Sequence, residues 1–519
     1  MKIRFSLLLL FCICLSANAQ VAQDDALAFR VKGEAFDNSK VRELSEFMTD
    51  KLGSRLAASQ MKLRAEGLVV EKLAEMGLSN PRVEKATDFD QGGWDNEKAY
   101  AAMTAPYYCA FAVNPKAWSG STDGLVKGEC VILNATKSED LEKYKGQLAG
   151  KVVLMPSMQT PQLDFKPLAS RYTDEELEAM KLDNRARVDR NGGPGRMPAD
   201  FQEFMARRRF MTELTAMVTA EKPLCIVEGR GSYNIPSSTG AQYKAGDPEP
   251  VAQIVLPVED HARMCRLIAS GEKVEMEMEI RNKFTDNRQI NNVVAEIPGT
   301  DKQLKDEVVL IGAHLDSWHG STGAADNASG CIVMMEAMRI IKALGIQPKR
   351  TIRIALWGGE EQGLYGSRGY MENYLYNRKG NQKLPGYDKF ALYLNMDNGS
   401  GRFRGIYLEQ NDLAFPYFQA WMKPIESLGF TTLSPRSTGG TDHMTFNAIG
   451  LPAFQFIQDE LEYERTYHTV MDTYERLSLK DLSIDAAIVA WLVICAADDP
   501  GRIPAKPGYP RAMPERRFF

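Results

Sequence analysis

Histidine is scarce in this chain, with five among 519 residues, so the position of each one can be weighed. A surplus of one charge is also lacking, since 63 basic residues stand against 68 acidic ones. The basic residues are spread along the chain, and we therefore expect no nucleic-acid partner. The eight cysteines are widely spaced and predict no particular disulfide pairing. The remaining composition, 44% hydrophobic, is typical of a globular protein of roughly two or three domains.

Apolar runs long enough to span a membrane are absent. Lys2 and Arg4 precede a shorter apolar run over residues 5–15, and the small-x-small pattern of residues 17–19 follows it. Because a membrane span needs about 20 apolar residues, this pattern predicts a secretory signal peptide over residues 1–19. We expect a secreted or periplasmic protein with no membrane partner after signal cleavage.

Three regions with different sequence patterns follow the predicted signal peptide. Residues 20–114 begin with amphipathic helical patterns. Residues 115–285 contain short strand-like runs around a charge-rich stretch, and indicate an inserted β-rich domain with a helical insertion. That stretch is more typical of a solvated surface insertion than of a lid over a site. Residues 286–500 alternate helix patterns with predicted strands at 292–297, 308–313, 351–357 and 390–396. They predict an α/β domain with a central mixed sheet flanked by helices, before a C-terminal tail over residues 501–519.

Histidines and carboxylates lie where the predicted strands of the α/β domain end. In open α/β sheets ligands bind beyond the carboxyl ends of strands, so we expect these side chains to meet there. Imidazole and carboxylate groups without thiolate are typical of catalytic zinc. Each residue alone has a plainer explanation, as a helix cap, a first-turn acid or a structural histidine, but their order and number favour metal binding. The set is His314, Asp316, Asp326, Glu360, Glu361, Asp397 and His468.

Several stretches of the α/β region resemble the co-catalytic zinc aminopeptidase and glutamate carboxypeptidase family. They are HLDSW from His314, GAADNASG from Gly323, WGGEEQGLYGS from Trp357, NMD ending at Asp397, and the late His468. The closest likeness is to the carboxypeptidase Q branch, and it covers residues 290–495. It implies a zinc exopeptidase with a phosphorylase/hydrolase-like fold. The inserted region resembles a protease-associated domain.

The resemblance implies a metal ligand set for two zinc ions per chain. Asp326 would bridge both ions. His314 and Asp397 would complete one site, and Glu361 and His468 would complete the other. A hydroxide held between the two ions would attack the terminal peptide bond.

The resemblance also implies catalytic and supporting roles. Glu360 would be the general base that takes the proton of the water and passes it to the leaving amine. Asp316 would hold the far nitrogen of His314 and so fix its tautomer. His443, in the stretch GGTDH, is the candidate donor to the oxyanion. The family's bridging Asp is often followed by a second Asp through a cis peptide bond, whereas Asn327 follows here.

Three readings of function remain open at this stage. An exopeptidase that takes short peptides or dipeptides leads, as an aminopeptidase or as a carboxypeptidase Q-like dipeptidase. Arg402 and Arg436 are candidate cations for a terminal carboxylate. A single-zinc glutaminyl cyclase-like enzyme or a non-catalytic binding protein are the alternatives, and the complete ligand set disfavours both. The expected partner is a peptide substrate; the inserted region either gates access or builds a homodimer interface.

Overall fold

The structure is a computed structural model that describes residues 25–135, 137–157, 163, 165, 167–185 and 201–508. The predicted signal peptide and most of the predicted C-terminal tail lie outside these residues. Among the described residues, no helix is long and apolar enough to cross a membrane.

The structure contains two eight-stranded sheets, and we call the mixed sheet of the α/β region the catalytic sheet. Its three central pairings are parallel, and an antiparallel pairing follows them on each side. This confirms the predicted fold class. In spatial order its strands are Ser79–Asp88, Gln289–Ile297, Thr351–Trp357, Val308–His314, Phe390–Asn395, Ala453–Gln458, Phe403–Tyr407 and Thr432–Ser434.

Both faces of the catalytic sheet are covered. Successive residues of a strand point to opposite faces, and here they enter two different hydrophobic clusters. Val309 and Ile311 belong to the cluster formed with the long helices Ser329–Ala343 and Leu479–Asp498. Leu310, between them, joins the cluster on the other face. A strand buried on both faces is therefore apolar throughout, as the pattern of residues 308–313 predicts.

The helices pack mainly around the catalytic sheet. The N-terminal helices pack against the same face as Ser329–Ala343, so residues from about 28 to 78 share one core with the α/β region. The α-helices are 25–37, Val41–Glu46, Gln60–Glu75, Asp174–Lys181, Phe201–Ala220, Val258–Ala269, Ser329–Ala343, Tyr365–Tyr370, Phe415–Met422, His443–Asn447, Tyr463–Thr466 and Leu479–Asp498. Shorter 3₁₀ or π turns are Phe47–Lys51, Ser138–Tyr144, Ala324–Ala328, Met371–Leu375, Asp412–Ala414, Lys423–Leu428 and Tyr474–Arg476.

A second eight-stranded sheet is built mainly from the region predicted as an insert. It also takes in Gly93–Ala105, which pairs along its length with Glu275–Thr285 and lies before the predicted start of the insert at residue 115. The domain limits and the likeness to a protease-associated domain stay predictions. In spatial order the strands are Cys109–Ala110, Gly93–Ala105, Glu275–Thr285, Val126–Ile132, Val152–Leu154, Cys225–Gly229, Gln253–Leu256 and Asn114–Pro115. Two small hairpins are Gly231–Ser232 with Ile235–Pro236, and Tyr376–Asn377 with Gln382–Lys383.

His261 lies in the helix Val258–Ala269, which follows a strand of the second sheet, and it is buried. Burial lowers the pKa of this histidine. It packs beneath the second sheet and takes no part in the set of residues at the catalytic sheet.

Candidate metal centre

Strand register brings the predicted site residues to one edge of the catalytic sheet. His314 is the last residue of its strand and pairs with Trp357, the last residue of the neighbouring strand. Gly312 pairs with Asn395, the last residue of the strand on the other side. Since the three strands are parallel, the residues that follow them leave the sheet at the same edge.

A close approach of the backbone steers the chain from Trp357 to Glu360. A Cβ atom on Gly358 would lie 2.2 Å from the carbonyl oxygen of Asn291, so only glycine fits there. The chain turns there, and Glu360 and Glu361 follow at the edge of the sheet.

Two clusters of ligand atoms form at this edge. The first cluster is His314, Glu360 and Asp397, and the second cluster is Asp326, Glu361 and His468; within each, the ligand atoms all lie within 4.8 Å of one another. In the first cluster His314 Nε2 lies 3.2 Å from Asp397 Oδ1. In the second, His468 Nε2 lies 2.7 Å from Glu361 Oε2.

Asp326 lies between the two clusters. Its Oδ1 is 3.0 Å from His314 Nε2, and its Oδ2 is 3.3 Å from His468 Nε2. Each carboxylate oxygen therefore faces the imidazole of a different cluster, which is the placement that a bridging carboxylate needs. The peptide bond between Asp326 and Asn327 is cis, although asparagine stands where the family often has aspartate.

The tautomer of His314 is set by the main chain. Its Nδ1 lies 2.9 Å from the carbonyl oxygen of Asp316, which can only accept. Nδ1 therefore carries the proton, and in the neutral ring Nε2 keeps a lone pair for a metal.

The Asp316 side chain lies farther from His314 than its carbonyl does, with Oδ1 3.7 Å from Nδ1. Its carboxylate instead accepts the main-chain N–H groups of Glu360 at 3.1 Å and Glu361 at 3.3 Å. Asp316 thus holds the far nitrogen of His314 through its carbonyl oxygen, while its fully buried side chain holds the two glutamates.

In the part of the chain that the structure describes, the unpartnered carboxylate oxygens and the shifted pKa values of the second cluster indicate that its residues suit a cation. Asp326 Oδ2 and Glu361 Oε1 are buried and accept no hydrogen bond from the described residues. Burial and the charge of Asp326 raise the pKa of Glu361 to about 7. Although burial alone lowers it, the carboxylates of Glu361 and Asp326 raise the pKa of His468 to about 10. Buried carboxylates without full partners are stabilised by a cation, and the mixed imidazole and carboxylate donors suit zinc.

Glu360 has the electrostatics of a proton acceptor. Burial, with the charges of Asp397 and Asp442, raises the pKa of Glu360 well above its ordinary value, against the opposing effect of His314. A carboxylate at a metal site with a raised pKa is suited to take up a proton near neutral pH.

His443 is placed differently from the other predicted residues. It is fully buried at the start of the helix His443–Asn447, and its Nε2 lies 3.4 Å from Glu409 Oε1. Neither of its ring nitrogens makes a hydrogen bond with the described residues. The structure thus brings His443 beside Glu409 and does not place it in either ligand cluster. Its role as oxyanion donor stays a prediction.

The two arginines considered for a terminal carboxylate have other partners. Arg402 Nε lies 3.4 Å from Asp481 Oδ1. The guanidinium of Arg436 lies over the ring of Tyr407 and within 3.7 Å of Asp183. Nothing in these contacts favours either arginine as a carboxylate receptor.

Loops of the second sheet lie against the second cluster. The main-chain N–H of Ser238 donates to the carbonyl oxygen of His468 at 2.7 Å, and Ser237 bridges with Thr469. His319 lies half-buried nearby, where its Nε2 donates to the carbonyl oxygen of Pro115 at 2.7 Å. A loop of the second-sheet region is thus bonded directly to the segment that carries His468.

Sequence reasoning missed two residues that hold the loop before Asp326. Asp472 accepts the main-chain N–H groups of Ala325 and Asp326, and Arg55 donates to carbonyl oxygens of the same loop. Asp472 could have been suspected from its place four residues after His468. Arg55 left no signal, since contacts with main-chain carbonyls depend on tertiary structure alone.

One segment of the chain matches a known protein family, and the chain is similar to known peptidases. Residues 292–493 match peptidase family M28. Carboxypeptidase Q of Mus musculus is 24% identical over 454 residues, which is 87% of this chain and 84% of that protein. Aminopeptidase YwaD of Bacillus subtilis (strain 168) is 29% identical over 227 residues, 41% of this chain and 46% of that protein.

Solved structures share the fold. A peptidase M28 precursor from Shewanella amazonensis SB2B superposes with a TM-score of 0.66 at 22% identity, covering 94% of this chain and 99% of that one. BSAP, a zinc aminopeptidase from Bacillus subtilis, superposes with a TM-score of 0.54 at 18% identity, covering 89% of this chain and 95% of that one. The likeness thus extends over the second sheet as well as the catalytic sheet.

Proposed function

We propose that the chain, whose residues 292–493 match peptidase family M28, is a secreted, two-zinc exopeptidase that removes terminal residues from short peptides or dipeptides. The observation that carries the proposal is the pair of clusters that share Asp326 between His314 and His468. The relatives named carboxypeptidase Q and aminopeptidase support an exopeptidase. Their names differ in the end of the peptide that is cut.

Charge balance favours two ions over one. The two clusters together contain four carboxylates and two imidazoles. With neutral imidazoles, the three carboxylate ligands Asp326, Asp397 and Glu361 exceed the charge of one zinc ion even before Glu360 is counted, and a second zinc ion would offset that excess in a largely buried site. The glutaminyl cyclase-like alternative requires one zinc and is disfavoured for this reason.

The residues of the chain divide the work of peptide-bond hydrolysis. Zinc, when bound, supplies Lewis acidity that polarises a carbonyl and lowers the pKa of water. Glu360 takes a proton and delivers it to the nitrogen of the leaving amine. Asp316 keeps Glu360 and Glu361 at fixed positions through their main-chain amides, so that the two neighbouring glutamates serve as base and as ligand.

Export and partners follow from the sequence and rest on it alone. The signal-like N-terminus supports secretion to the cell exterior or the periplasm. A peptide is the partner that the chemistry requires. A homodimer formed through the inserted region is part of the proposal, and the contact of Ser237 and Ser238 with the His468 segment would couple that region to the site.

The test is cleavage of matched blocked and unblocked dipeptides by the mature chain. We expect cleavage of free dipeptides that stops with a chelator and returns with zinc. Loss of cleavage after N-acetylation of the dipeptide would indicate that the site binds the free amine. Loss of cleavage after C-amidation would indicate that the site binds the terminal carboxylate. No cleavage of any peptide after zinc is restored, or cyclisation of a peptide with N-terminal glutamine instead, would overturn the proposal.

A further inference from the structure

Arg55 is a fully buried arginine whose partners are main-chain carbonyls near the site. Its Nε donates to the carbonyl oxygen of Leu315 at 2.7 Å, one residue after the ligand His314. Its Nη atoms donate to Thr322 at 2.6 Å and to Gly323 at 3.1 Å. Arg55 therefore joins both ends of the loop that connects His314 to Asp326. Further bonds to the carbonyls of Met48 and Gly53 fix the guanidinium to its own segment.

Gly323 is the point at which this loop turns toward Asp326. It has a φ of +56°, and a Cβ there would lie 2.3 Å from the Cβ of Ser317. The main chain of Arg55 also bonds with Ser317, donating to its Oγ at 3.0 Å and accepting from its N–H at 3.1 Å. A planar guanidinium with donors in fixed directions can hold several carbonyls of such a turn at once.

Asp472 holds the same loop from the side of His468. Its carboxylate accepts the N–H of Ala325 at 2.6 Å and of Asp326 at 2.9 Å. Its carbonyl oxygen accepts the N–H of Ala324 at 3.2 Å and the hydroxyl of Thr322 at 3.2 Å. The segment that carries the His468 ligand is thus bonded directly to the segment that carries Asp326.

We propose that Arg55 and Asp472 are positioning residues that fix loop 322–326 from opposite sides and thereby place the Asp326 carboxylate between the two ligand clusters. Arg55 takes the loop's carbonyls and Asp472 takes its amides, so together they satisfy the groups that the turn leaves without partners in secondary structure. The inference rests on the proposed two-zinc function. It assigns a role in the metal centre to a residue outside the segment 292–493 that matches the family.

The chain offers matched controls for both residues. Arg350 is also a buried arginine that donates to main-chain carbonyls, but it lies at the amino end of the strand Thr351–Trp357, at the opposite edge of the sheet. Asp485 is a buried aspartate that accepts the N–H of Phe403 at 2.8 Å. Neither residue contacts the loop 322–326.

The experiment measures zinc dissociation constants by competition with a chromophoric chelator. It compares the wild-type chain with Arg55→Lys, Asp472→Asn and the controls Arg350→Lys and Asp485→Asn. Substitution of residues that orient metal ligands weakens metal binding by about 10- to 100-fold. We expect this loss in Arg55→Lys and Asp472→Asn, and wild-type affinity in both controls even where the controls melt at a lower temperature. Because both residues act on one loop, their effects in the double variant should not add.

Each possible result of the zinc titrations supports or overturns the inference. Wild-type zinc affinity in folded Arg55→Lys and Asp472→Asn overturns the inference, as does an equal loss in the controls, which would indicate a general effect of stability. If Arg55→Lys does not fold, the comparison of Asp472→Asn with Asp485→Asn decides alone. Failure of the wild-type chain to bind two zinc ions would instead contradict the proposed function, and with it the premise.

Discussion

Glu360→Gln separates a proton-transfer role of this residue from a role as metal ligand. The geometry alone allows both, because a carboxylate oxygen of Glu360 lies within 4.8 Å of the ligand atoms of His314 and Asp397. Glutamine has nearly the same shape and leaves the main-chain bond from Glu360 to Asp316 in place. The variant therefore removes the charge and the proton acceptor with little other change.

The expected size of the effect follows from the role. Loss of a general base lowers kcat by about 10²- to 10⁴-fold, which corresponds to about 2.7 to 5.5 kcal/mol in the barrier. Zinc affinity should stay that of the wild type, because the ligand set of Asp326, His314, Asp397, Glu361 and His468 is intact.

The stability of the metal-free protein should change in the opposite direction. Because burial raises the pKa of Glu360, its ionised form is disfavoured in the folded chain at neutral pH. Replacing it by glutamine removes that penalty, so the metal-free variant should melt at the same or a higher temperature near pH 7. The gain should vanish below about pH 4, where the glutamate is protonated in both folded and unfolded chains.

The assay is steady-state hydrolysis with zinc in excess, together with a zinc titration and thermal unfolding of the metal-free chain. A variant with weakened zinc binding, whose activity returns at high zinc, would refute the base assignment and make Glu360 a ligand. A variant with wild-type kcat would refute any chemical role.

Two further predictions concern the metal-free site and the core beneath it. Zinc binding at pH 7 should release protons and tighten as pH rises, because His468 must lose its proton to bind a metal. Although burial alone lowers it, the carboxylates of Glu361 and Asp326 raise the pKa of His468 to about 10. Calorimetry in two buffers of different ionisation enthalpy measures the proton release, and a binding heat that does not depend on the buffer would contradict the prediction. Phe446→Ala should lower the free energy of unfolding by about 3 to 5 kcal/mol, since this fully buried ring packs on Phe390 and Tyr393; urea unfolding measures it, and a loss under about 1 kcal/mol would show that the core closes around the cavity.

Much of the catalytic sheet could be predicted because its signals are local. The strand Thr351–Trp357 has the predicted bounds, and the predicted strand over residues 308–313 extends by one residue to His314. Apolar strands end at polar residues there, and the rule that ligands bind at the carboxyl edge places the ligands together. The resemblance then distinguished roles that spacing alone does not.

The parts that could not be predicted depend on contacts between distant segments. Gly93–Ala105 joins the second sheet by pairing with a strand far along the chain, and its sequence does not indicate which strand it will join. Asp316 holds Glu360 and Glu361 with its side chain and His314 with its carbonyl, and this division depends on the three-dimensional structure. The contacts of Arg55 are with carbonyl groups, which carry no trace in the side-chain pattern.

Zinc content tests the central claim most directly. The purified wild-type chain, saturated and then freed of loosely bound metal, should contain two zinc ions, one for each ligand cluster. His468→Ala removes a ligand of the second cluster only, and should reduce the tightly bound zinc to about one per chain while abolishing cleavage. One zinc or none in the wild-type chain would contradict the account.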